Sequence, residues 1–316
     1  MKAVLFNEYG GRDKLILADI PKPQPQEGEV LVRIKAVGVN PVDFKIREGL
    51  LKERMPYQFP IILGWDMAGI IEDRSYAARR FEIGEEVYGC CRRLIIHQGT
   101  YAEYITIPEC YVAYRPQRIS FEESAAVPLA GLMAYQGLFD KGNLKKGETV
   151  LVVGASGGVG GFVVQLAKIY GATVLAIASR KNHPYLKRLG ADETIDYTAG
   201  DFREAVKKIK PQGVDLVFAA AGQESLRKAY DCLRKKGRLV TIVERGDEKL
   251  AKEKDIELLY HFVEANSKQL DHLRGLIDEK KLQVNTSAAY PLAEVKKAHE
   301  QIETFHTQGK IVLTIS

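Results

Sequence analysis

The amino-acid sequence predicts an α/β protein with a doubly wound parallel sheet and an additional β-rich region. Two observations carry this prediction: turn-rich, strand-like sequence up to about Ile119, and strict alternation of strand and helix patterns after Gly147. The chain has 316 residues. At roughly 150 residues per domain, this length indicates two domains, each large enough to bury its own core.

The first part of the chain has the pattern of short β-strands. Between Val30 and Val39 the side chains alternate, so that every second residue belongs to the same face of a strand. Turn-forming residues recur along the same part. They include Gly10, Gly11, Pro21, Pro23, Pro25, Gly49, Gly64, Gly84 and Gly99. This pattern predicts a twisted β-barrel or sandwich.

Helices and strands alternate in the second part. Ser120, followed three residues later by Glu123, is typical of a capping box and predicts a helix at Ser124–Phe139. The predicted strands are Thr149–Val153, Thr173–Ala178, Glu193–Asp196, Val214–Ala219 and Arg238–Val243. The predicted helices between them are Gly158–Tyr170, Pro184–Leu189, Phe202–Ile209 and Ser225–Leu233. Continuous apolar strands of this kind are expected in a parallel sheet that is covered on both faces.

The C-terminal part returns to mixed character. Amphipathic patterns predict helices at Ser267–Glu279 and Leu292–Ile302. A closing apolar strand is predicted at Lys310–Ile315. The order of patterns is thus β-rich, then alternating, then mixed.

The most specific motif is a glycine-rich turn between a buried strand and a helix. Ala155, Gly157 and Gly160 occupy the three positions of a GxGxxG pattern, with the first relaxed to Ala. Small residues permit a tight turn and close approach to a pyrophosphate, and the helix N-terminus supplies N–H groups. The sequence therefore predicts a dinucleotide site. Its turn comprises Ala155, Ser156, Gly157, Gly158, Val159 and Gly160.

The end of the second strand of this region indicates which dinucleotide is bound. An acid that binds the ribose is expected about 20 residues past the glycines in an NAD site. Here the strand is followed by Ser179, Arg180 and Lys181. A hydroxyl and two cations suit a 2′-phosphate, so the sequence predicts NADPH. The alternative is that these cations are solvated loop charges.

Charge, hydropathy and cysteine content exclude several classes of protein. The 46 Lys and Arg residues are interspersed with 41 Asp and Glu, and the net charge of +5 gives no reason to expect a nucleic-acid partner. No stretch approaches the ~18 apolar residues of a membrane helix, and the N-terminal apolar run is too short for a signal peptide. We therefore expect a cytoplasmic protein without a membrane partner. The four cysteines form no CxxC pair, so no metal site is predicted.

Six segments together carry a family resemblance. They are GVNPVDFK at 38–45, PIILGWDMAG at 60–69, GTYAE at 99–103, the glycine turn at 154–160, LGAD at 189–192 and GKIVL at 309–313. With them the chain resembles the medium-chain dehydrogenase/reductase superfamily, in its zinc-free quinone oxidoreductase and enone reductase branch. The resemblance implies a Rossmann NADP-binding domain at 125–264, inserted into a GroES-like catalytic domain at 1–124 and 265–316. It also implies a homodimer.

The resemblance bears on the metal as well. Zinc alcohol dehydrogenases of this superfamily place a Cys ligand where this chain has Asn40, and a His followed by Glu where it has Trp65 and Asp66. Neither Asn nor Trp is a useful zinc ligand. We therefore expect a zinc-independent reaction, in which NADPH delivers a hydride to a quinone or an α,β-unsaturated carbonyl.

The resemblance implies a catalytic site at residues 40–45. Asn40 would be a neutral donor, Asp43 an orienting acid, and Lys45 a cationic donor that polarises a carbonyl or relays a proton. An equal alternative is that Asp43 caps the helix starting near Pro41. Tyr197, after the third strand of the alternating region, resembles a position that stacks near the adenosine phosphate, with surface packing as its alternative.

Two other functions stay open on the sequence alone. One is a metal-free alcohol dehydrogenase, and the other is a non-catalytic NADPH- or RNA-binding protein of the same fold. Met133 stands where relatives often have a Thr whose hydroxyl approaches the cofactor, which places the cofactor geometry there in question. Oxidation of NADPH by quinones and enones, with and without a chelator, separates these functions.

Overall fold

The computed structural model describes residues 1–315, which form two compact units. The first unit comprises Met1–Leu129, Glu264–Lys280 and the chain from Val284 onward. The second comprises Ala130–Val263 and Lys281–Gln283. The second unit is therefore inserted into the sequence of the first. This arrangement confirms the predicted fold class, an α/β unit with a parallel sheet inserted into a β-rich unit.

The elements are numbered in chain order. The strands are β1 (Lys2–Phe6), β2 (Ile16–Asp19), β3 (Glu29–Val39), β4 (Ile61–Ile62), β5 (Asp66–Arg74), β6 (Glu86–Cys90), β7 (Tyr104–Pro108), β8 (Val112–Tyr114), β9 (Thr149–Val153), β10 (Thr173–Ala178), β11 (Glu193–Asp196), β12 (Val214–Ala219), β13 (Leu233–Thr241), β14 (Glu257–Tyr260), β15 (Thr286–Pro291) and β16 (Lys310–Thr314). The α-helices are α1 (Pro41–Arg47), α2 (Phe121–Ala125), α3 (Pro128–Tyr135), α4 (Gly158–Ile169), α5 (His183–Arg188), α6 (Phe202–Ile209), α7 (Glu224–Ala229), α8 (Glu248–Glu253), α9 (Ser267–Asp278) and α10 (Val295–Glu303).

The first unit is organised around the long, largely buried strand β3. Its large mixed sheet has the order β15-β16-β3-β5-β6-β8, with β7 also paired to β3, and a smaller sheet has the order β2-β1-β4. Strand β16 runs antiparallel to β3, so that Ile311 lies opposite Val39 and Val312 lies opposite Gly38. This register brings the last strand of the chain to the start of α1.

The second unit contains a parallel sheet with the order β11-β10-β9-β12-β13-β14. The chain proceeds outward from β9 in one direction through β10 and β11, and in the other through β12, β13 and β14. A ligand crevice is expected where the direction reverses, at the carboxyl ends of β9 and β12. Apolar side chains such as Leu151, Leu175 and Val217 are buried against the sheet's helices and hold this edge in place.

Four predicted strands and one predicted helix of the second unit have the observed bounds. The predictions for β9, β10, β11, β12 and α6 agree at both ends, whereas β13 covers Leu233–Thr241 rather than Arg238–Val243. The helix predicted at Ser225–Leu233 is too long, because α7 ends at Ala229 and Leu233 already belongs to β13. Strand β14 was not predicted, because its four residues lie at the sheet edge and none is fully buried.

The single helix predicted at Ser124–Phe139 is wrong. The chain forms α2, then α3, then a π-helical turn over Gln136–Lys141. Proline disfavours helical backbone at the residue before it, so Pro128 ends the first segment and begins the second. The predicted cap is correct, since the Ser120 hydroxyl oxygen accepts from the Glu123 N–H and the Glu123 carboxylate accepts from the Ser120 N–H.

Within residues 1–315 no helix is both long enough and apolar enough to cross a membrane.

Candidate active site

The glycine turn lies at the carboxyl end of β9, at the point where the sheet order reverses. Gly154 follows β9 with a left-handed backbone (φ +78°), and the Gly157 N–H donates to the Gly154 carbonyl over 3.2 Å. Gly157 is then the N-cap of α4, and no side chain among the described residues caps this helix end. The N–H groups of its first turn therefore face the turn, as an anion site requires.

The glycines of the turn have different reasons to be glycine. A Cβ on Gly160 would lie 2.3 Å from the Gly154 carbonyl oxygen, so the helix packs on the turn with no room for a side chain. A Cβ on Gly157 would meet no described atom closer than 3.5 Å, again that oxygen. The space beside Gly157 is thus left open, which fits a pyrophosphate lying against the backbone.

The tight turn itself starts one residue earlier than the sequence pattern implied. The predicted first position, Ala155, is fully buried, and its neighbour Gly154 is the residue with the left-handed backbone. A Cβ on Gly154 would lie 3.2 Å from the backbone of Ala220 and Ala221, at the end of β12. The requirement for glycine therefore belongs to Gly154, and Ala155 serves in the core.

The predicted 2′-phosphate loop follows β10. Ser179 is half-buried, and Arg180 and Lys181 are exposed at the start of a short 3-10 helix. In the part of the chain that the structure describes, neither cation forms an ion pair with an acid. Both charges are therefore available to an anionic ligand.

Asn182 is a residue of this loop that the sequence did not single out. Its Nδ2 donates to the Ser156 hydroxyl oxygen at 3.1 Å and to the Ser179 hydroxyl oxygen at 3.2 Å. One amide thus joins the glycine turn to the loop after β10. Because both serine oxygens accept from Asn182, their own hydroxyl hydrogens remain for other acceptors. Tyr197, beyond β11, is 48% exposed.

In the first unit, Asn40 and Asp43 lie at the N-terminus of α1. The Asn40 Nδ2 donates to the Gly38 carbonyl at 3.3 Å and to Asp66 Oδ2 at 2.9 Å, and Asn40 Oδ1 accepts from the Lys310 ammonium. Both amide hydrogens are used inside the unit. The predicted role of Asn40 as a donor to substrate does not fit this geometry, because no amide hydrogen remains to be donated.

Asp66 and Lys310 form a buried ion pair beneath α1. Lys310 Nζ lies 3.4 Å from Asp66 Oδ2 and donates to the Val39 carbonyl at 3.0 Å. The Leu129 N–H donates to Asp66 Oδ1 at 2.7 Å. Burial raises the pKa of Asp66, and the ammonium of Lys310 opposes that rise. The only sequence signal for the pair was a cation and an acid inside apolar strand sequence.

Asp43 is fully buried and closes the N-terminus of α1. Its Oδ2 accepts from the Asn40 N–H at 2.8 Å and from the Tyr101 hydroxyl at 3.0 Å, whereas its Oδ1 has no hydrogen-bond partner within residues 1–315. Burial raises the pKa of Asp43 to about 7, against the lowering effect of these two donors and of Lys310. The sequence left open whether Asp43 is an orienting acid or caps the helix that starts near Pro41. The bond from the Asn40 N–H is the geometry of a helix cap.

Lys45 follows on the same short helix and is half-buried. Its carbonyl accepts from the Leu50 N–H at 2.9 Å, which ties the end of α1 to the following turn. The structure thus brings Asn40, Asp43 and Lys45 together on one element. It adds Asp66, Tyr101, His299 and Lys310, which come from distant parts of the chain.

Comparison with known proteins identifies the family of this chain. A family model described as "Alcohol dehydrogenase GroES-like domain" matches residues 26–117, and one described as "Zinc-binding dehydrogenase" matches residues 189–313. The chain is 31% identical to the chloroplastic quinone-oxidoreductase homolog of Spinacia oleracea, over 99% of this chain and 98% of that protein. It belongs to the medium-chain dehydrogenase/reductase superfamily, in the zinc-free quinone and enone reductase branch.

Other members of the superfamily are similar over the whole chain. The chloroplastic NADPH-dependent alkenal/one oxidoreductase of Arabidopsis thaliana is 32% identical, over 99% of this chain and 79% of that protein. The crystal structure of Escherichia coli quinone oxidoreductase complexed with NADPH has a TM-score of 0.89 at 27% identity and covers all of both chains. The protein is accordingly an oxidoreductase of this superfamily that uses a nicotinamide cofactor.

Asn40 and Trp65, which the resemblance places at the zinc-ligand positions of alcohol dehydrogenases, are both largely buried. Within residues 1–315 no group of three His, Cys, Asp or Glu side chains is arranged to hold a metal ion. Met133, where relatives often have Thr, is buried in α3. A surface hollow of about 580 Å³ lies beside α8 and β14 and includes no residue of the glycine turn, so it is not the cofactor site.

Proposed function

We propose that the protein is an NADPH-dependent, zinc-independent oxidoreductase that transfers a hydride to a quinone or an α,β-unsaturated carbonyl. The observation that carries the choice of NADPH is the loop after β10, where Ser179, Arg180 and Lys181 replace a ribose-binding acid. A carboxylate there would repel a 2′-phosphate, whereas guanidinium and ammonium groups attract it. The names of the relatives support the two acceptor classes.

The cofactor site is assigned to the second unit. The proposed residues are Ala155, Ser156, Gly157, Gly158, Val159, Gly160, Ser179, Arg180, Lys181 and Tyr197. In this assignment the N–H groups at the start of α4 hold the pyrophosphate, and the open space beside Gly157 admits it. The loop cations hold the 2′-phosphate. The corresponding domain limits are 125–264 for the cofactor domain, and 1–124 with 265–316 for the catalytic domain.

The catalytic role is assigned to Lys45. A bound nicotinamide supplies the hydride, and delivery of a hydride to a quinone or to the β-carbon of an enone leaves negative charge on an oxygen. The ammonium of Lys45 stabilises that oxygen or supplies its proton. Asn40 and Asp43 act one step further away, because their hydrogen bonds hold the N-terminus of the helix that carries Lys45.

Partners and location follow the same proposal. The partner is a small quinone or enone, and a homodimer is expected from the family. The sequence-based expectation of a cytoplasmic protein, with neither membrane nor nucleic acid as a partner, remains a prediction. The metal-free alcohol dehydrogenase and the non-catalytic binding protein remain as outcomes of the test.

The test is the oxidation of NADPH or NADH by menadione and by cyclohexenone, with and without a chelator. We expect turnover with NADPH that is at least tenfold more efficient than with NADH, unaffected by the chelator. Roughly tenfold is what one lost charge-assisted phosphate contact costs. Arg180→Ala should remove most of the preference. Reduction of NADP⁺ by simple alcohols would favour the alcohol dehydrogenase, and cofactor binding without any turnover would favour the non-catalytic protein.

A further inference from the structure

A string of buried side chains connects two residues of α1 through a second helix. Arg47 Nη1 lies 2.9 Å from His299 Nδ1, and His299 Nε2 lies 3.3 Å from the Tyr101 hydroxyl. That hydroxyl lies 3.0 Å from Asp43 Oδ2. Arg47, Tyr101 and Asp43 are at most 1% exposed, and His299 is fully buried. We call His299 and Tyr101 the bridge.

The donors and acceptors of the bridge have only one consistent direction. Arginine has no acceptor, so Arg47 must donate to His299 Nδ1. The hydrogen of the neutral ring is then on Nε2, which donates to the Tyr101 oxygen. The Tyr101 hydroxyl in turn donates to Asp43. Burial and the nearby guanidinium groups of Arg47 and Arg12 lower the pKa of His299 to about 3, which agrees with a neutral ring.

This direction excludes a proton path to solvent through the bridge. Arg47 is the end of the string, and its other bonds go to Glu303 at 2.7 Å, to Glu48 at 2.5 Å and to the Gly10 carbonyl at 3.0 Å. An arginine keeps its protons at any ordinary pH, so it cannot pass one from Glu303 to His299. The bridge therefore fixes positions rather than conducting protons.

The two ends of the bridge are four residues apart on α1. Asp43 and Arg47 lie at i and i+4, so they project from the same face of the helix. Lys45 lies between them, rotated by about 200° from Asp43, and so projects from a different face. A connection between residues 43 and 47 that is anchored on α10 resists rotation of the helix about its axis. Such a rotation would displace Lys45.

We propose that Tyr101 and His299 are positioning residues, which clamp Asp43 and Arg47 and thereby fix where the Lys45 ammonium lies. The inference rests on the proposed role of Lys45 in the reaction. It concerns a helix of the first unit and two side chains that reach it from the loop before β7 and from α10. Neither side chain touches a reacting atom in this account.

The main test is a double-mutant cycle between Tyr101→Phe and Lys45→Ala. Tyr101→Phe removes only the hydroxyl and should lower kcat about tenfold, as expected when a buried hydrogen bond is lost. In the Lys45→Ala background it should cause no further loss. Tyr88→Phe is the matched control, because Tyr88 is also fully buried in the first unit and its hydroxyl donates to the Leu270 carbonyl at 2.6 Å. It should leave kcat unchanged.

Two substitutions of His299 test whether its hydrogen bonds matter. A Gln can accept from Arg47 through its oxygen and donate to Tyr101 through its NH₂ group, whereas Leu can do neither. We expect His299→Gln to keep kcat within about threefold of the unmodified protein and His299→Leu to lose at least tenfold. If His299→Leu fails to fold, the Tyr101→Phe cycle still decides the question.

A readout independent of turnover completes the design. Lysines are methylated with carbon-13 formaldehyde, and the Lys45 signal is assigned by its loss in Lys45→Arg. The signal should shift in Tyr101→Phe and stay in place in Tyr88→Phe. Equal shifts of the Lys45 signal in the two variants, or no shift in Tyr101→Phe, would overturn the proposal. Full additivity of the kcat losses of Tyr101→Phe and Lys45→Ala would overturn it as well. If Lys45→Ala keeps full kcat, the proposed function of Lys45 fails, whereas the signal alone still reports whether the bridge positions it.

Discussion

The glycine turn of the second unit and the buried polar cluster of the first differ in how the chain assembles them. The turn is a continuous stretch from Gly154 to Gly160, and it leaves backbone N–H groups and open space for a ligand. The cluster gathers side chains from β5, the loop before β7, α10 and β16 around α1, and they bond mainly to one another. The glycine turn is organised to bind a ligand, whereas the buried cluster is organised to hold α1 in place.

The difference teaches how to separate binding residues from positioning residues. Side chains of the loop after β10, such as Arg180, keep their charge for a ligand. Asn40, in contrast, has both amide hydrogens engaged within the protein. Substitutions in the cluster should therefore act mainly on stability and geometry, and substitutions at the turn mainly on cofactor affinity.

The largest effect is expected for Lys310→Met. This change leaves the fully buried Asp66 without its cation, and breaking a buried pair on one side costs about 3 to 5 kcal/mol of unfolding free energy. Urea unfolding measures the loss. Lys168→Met is the matched control, because Lys168 pairs with Asp192 at the surface, where such pairs contribute about 1 kcal/mol or less. Adding Asp66→Asn to Lys310→Met should recover much of the loss. Similar costs for the two lysines would contradict the account.

The second prediction concerns the pH dependence of stability. The pKa of Asp43 rises from 3.8 to about 7 on folding. Its contribution to the free energy of unfolding is therefore full below pH 3.8 and is lost as pH rises through about 7. The pKa of His299 falls from 6.5 to about 3, so its contribution is full above pH 6.5 and is lost as pH falls through about 3. Between pH 3.8 and 6.5 the two slopes oppose each other, each about 1.4 kcal/mol per pH unit.

Neutral variants separate these two contributions. With Asp43→Asn the unfolding free energy should rise with pH across that window relative to the unmodified protein. With His299→Gln it should fall. The measurement is a series of urea titrations at several pH values. Parallel pH profiles for all three proteins would show that neither group changes its pKa on folding.

The third prediction compares two glycines of the turn. Gly160→Ala places a Cβ 2.3 Å from a carbonyl oxygen and should destabilise the protein by about 1 to 3 kcal/mol. Gly157→Ala meets nothing that close, so its stability should change by less than about 1 kcal/mol while NADPH affinity falls at least tenfold. Thermal unfolding and calorimetric titration measure the two effects. Normal NADPH affinity in Gly157→Ala would contradict the assignment of the glycine turn as the pyrophosphate site.

The smallest effect is expected for Asn182→Asp. A carboxylate would accept from the hydroxyls of Ser156 and Ser179 and would repel the 2′-phosphate. The affinity for NADPH should fall roughly tenfold and that for NADH much less. Gln212→Glu adds the same charge at an exposed turn of the same unit and should change neither. Equal losses for both cofactors would mean that Asn182 only maintains the loop.

The sequence predicted the local features and missed those that depend on long-range packing. Strand bounds from β9 to β12 and the glycine turn follow from hydrophobic runs and turn chemistry within a few residues. Tyr101 and His299 meet Asp43 only because α10 and the loop before β7 pack at α1, and no spacing in the sequence encodes that meeting. The broken helix at Pro128 is different, because a proline in the sequence is itself a local signal for a helix boundary.

The central claim is that this chain moves a hydride from NADPH to the acceptor without a metal. Cyclohexenone reduced with NADPH that carries deuterium at the transferred position tests it directly by mass spectrometry and NMR of the product. The account predicts one deuterium at the β-carbon, at a rate that a chelator does not change and that Lys45→Ala lowers. Product without deuterium, or a rate abolished by the chelator, would contradict it.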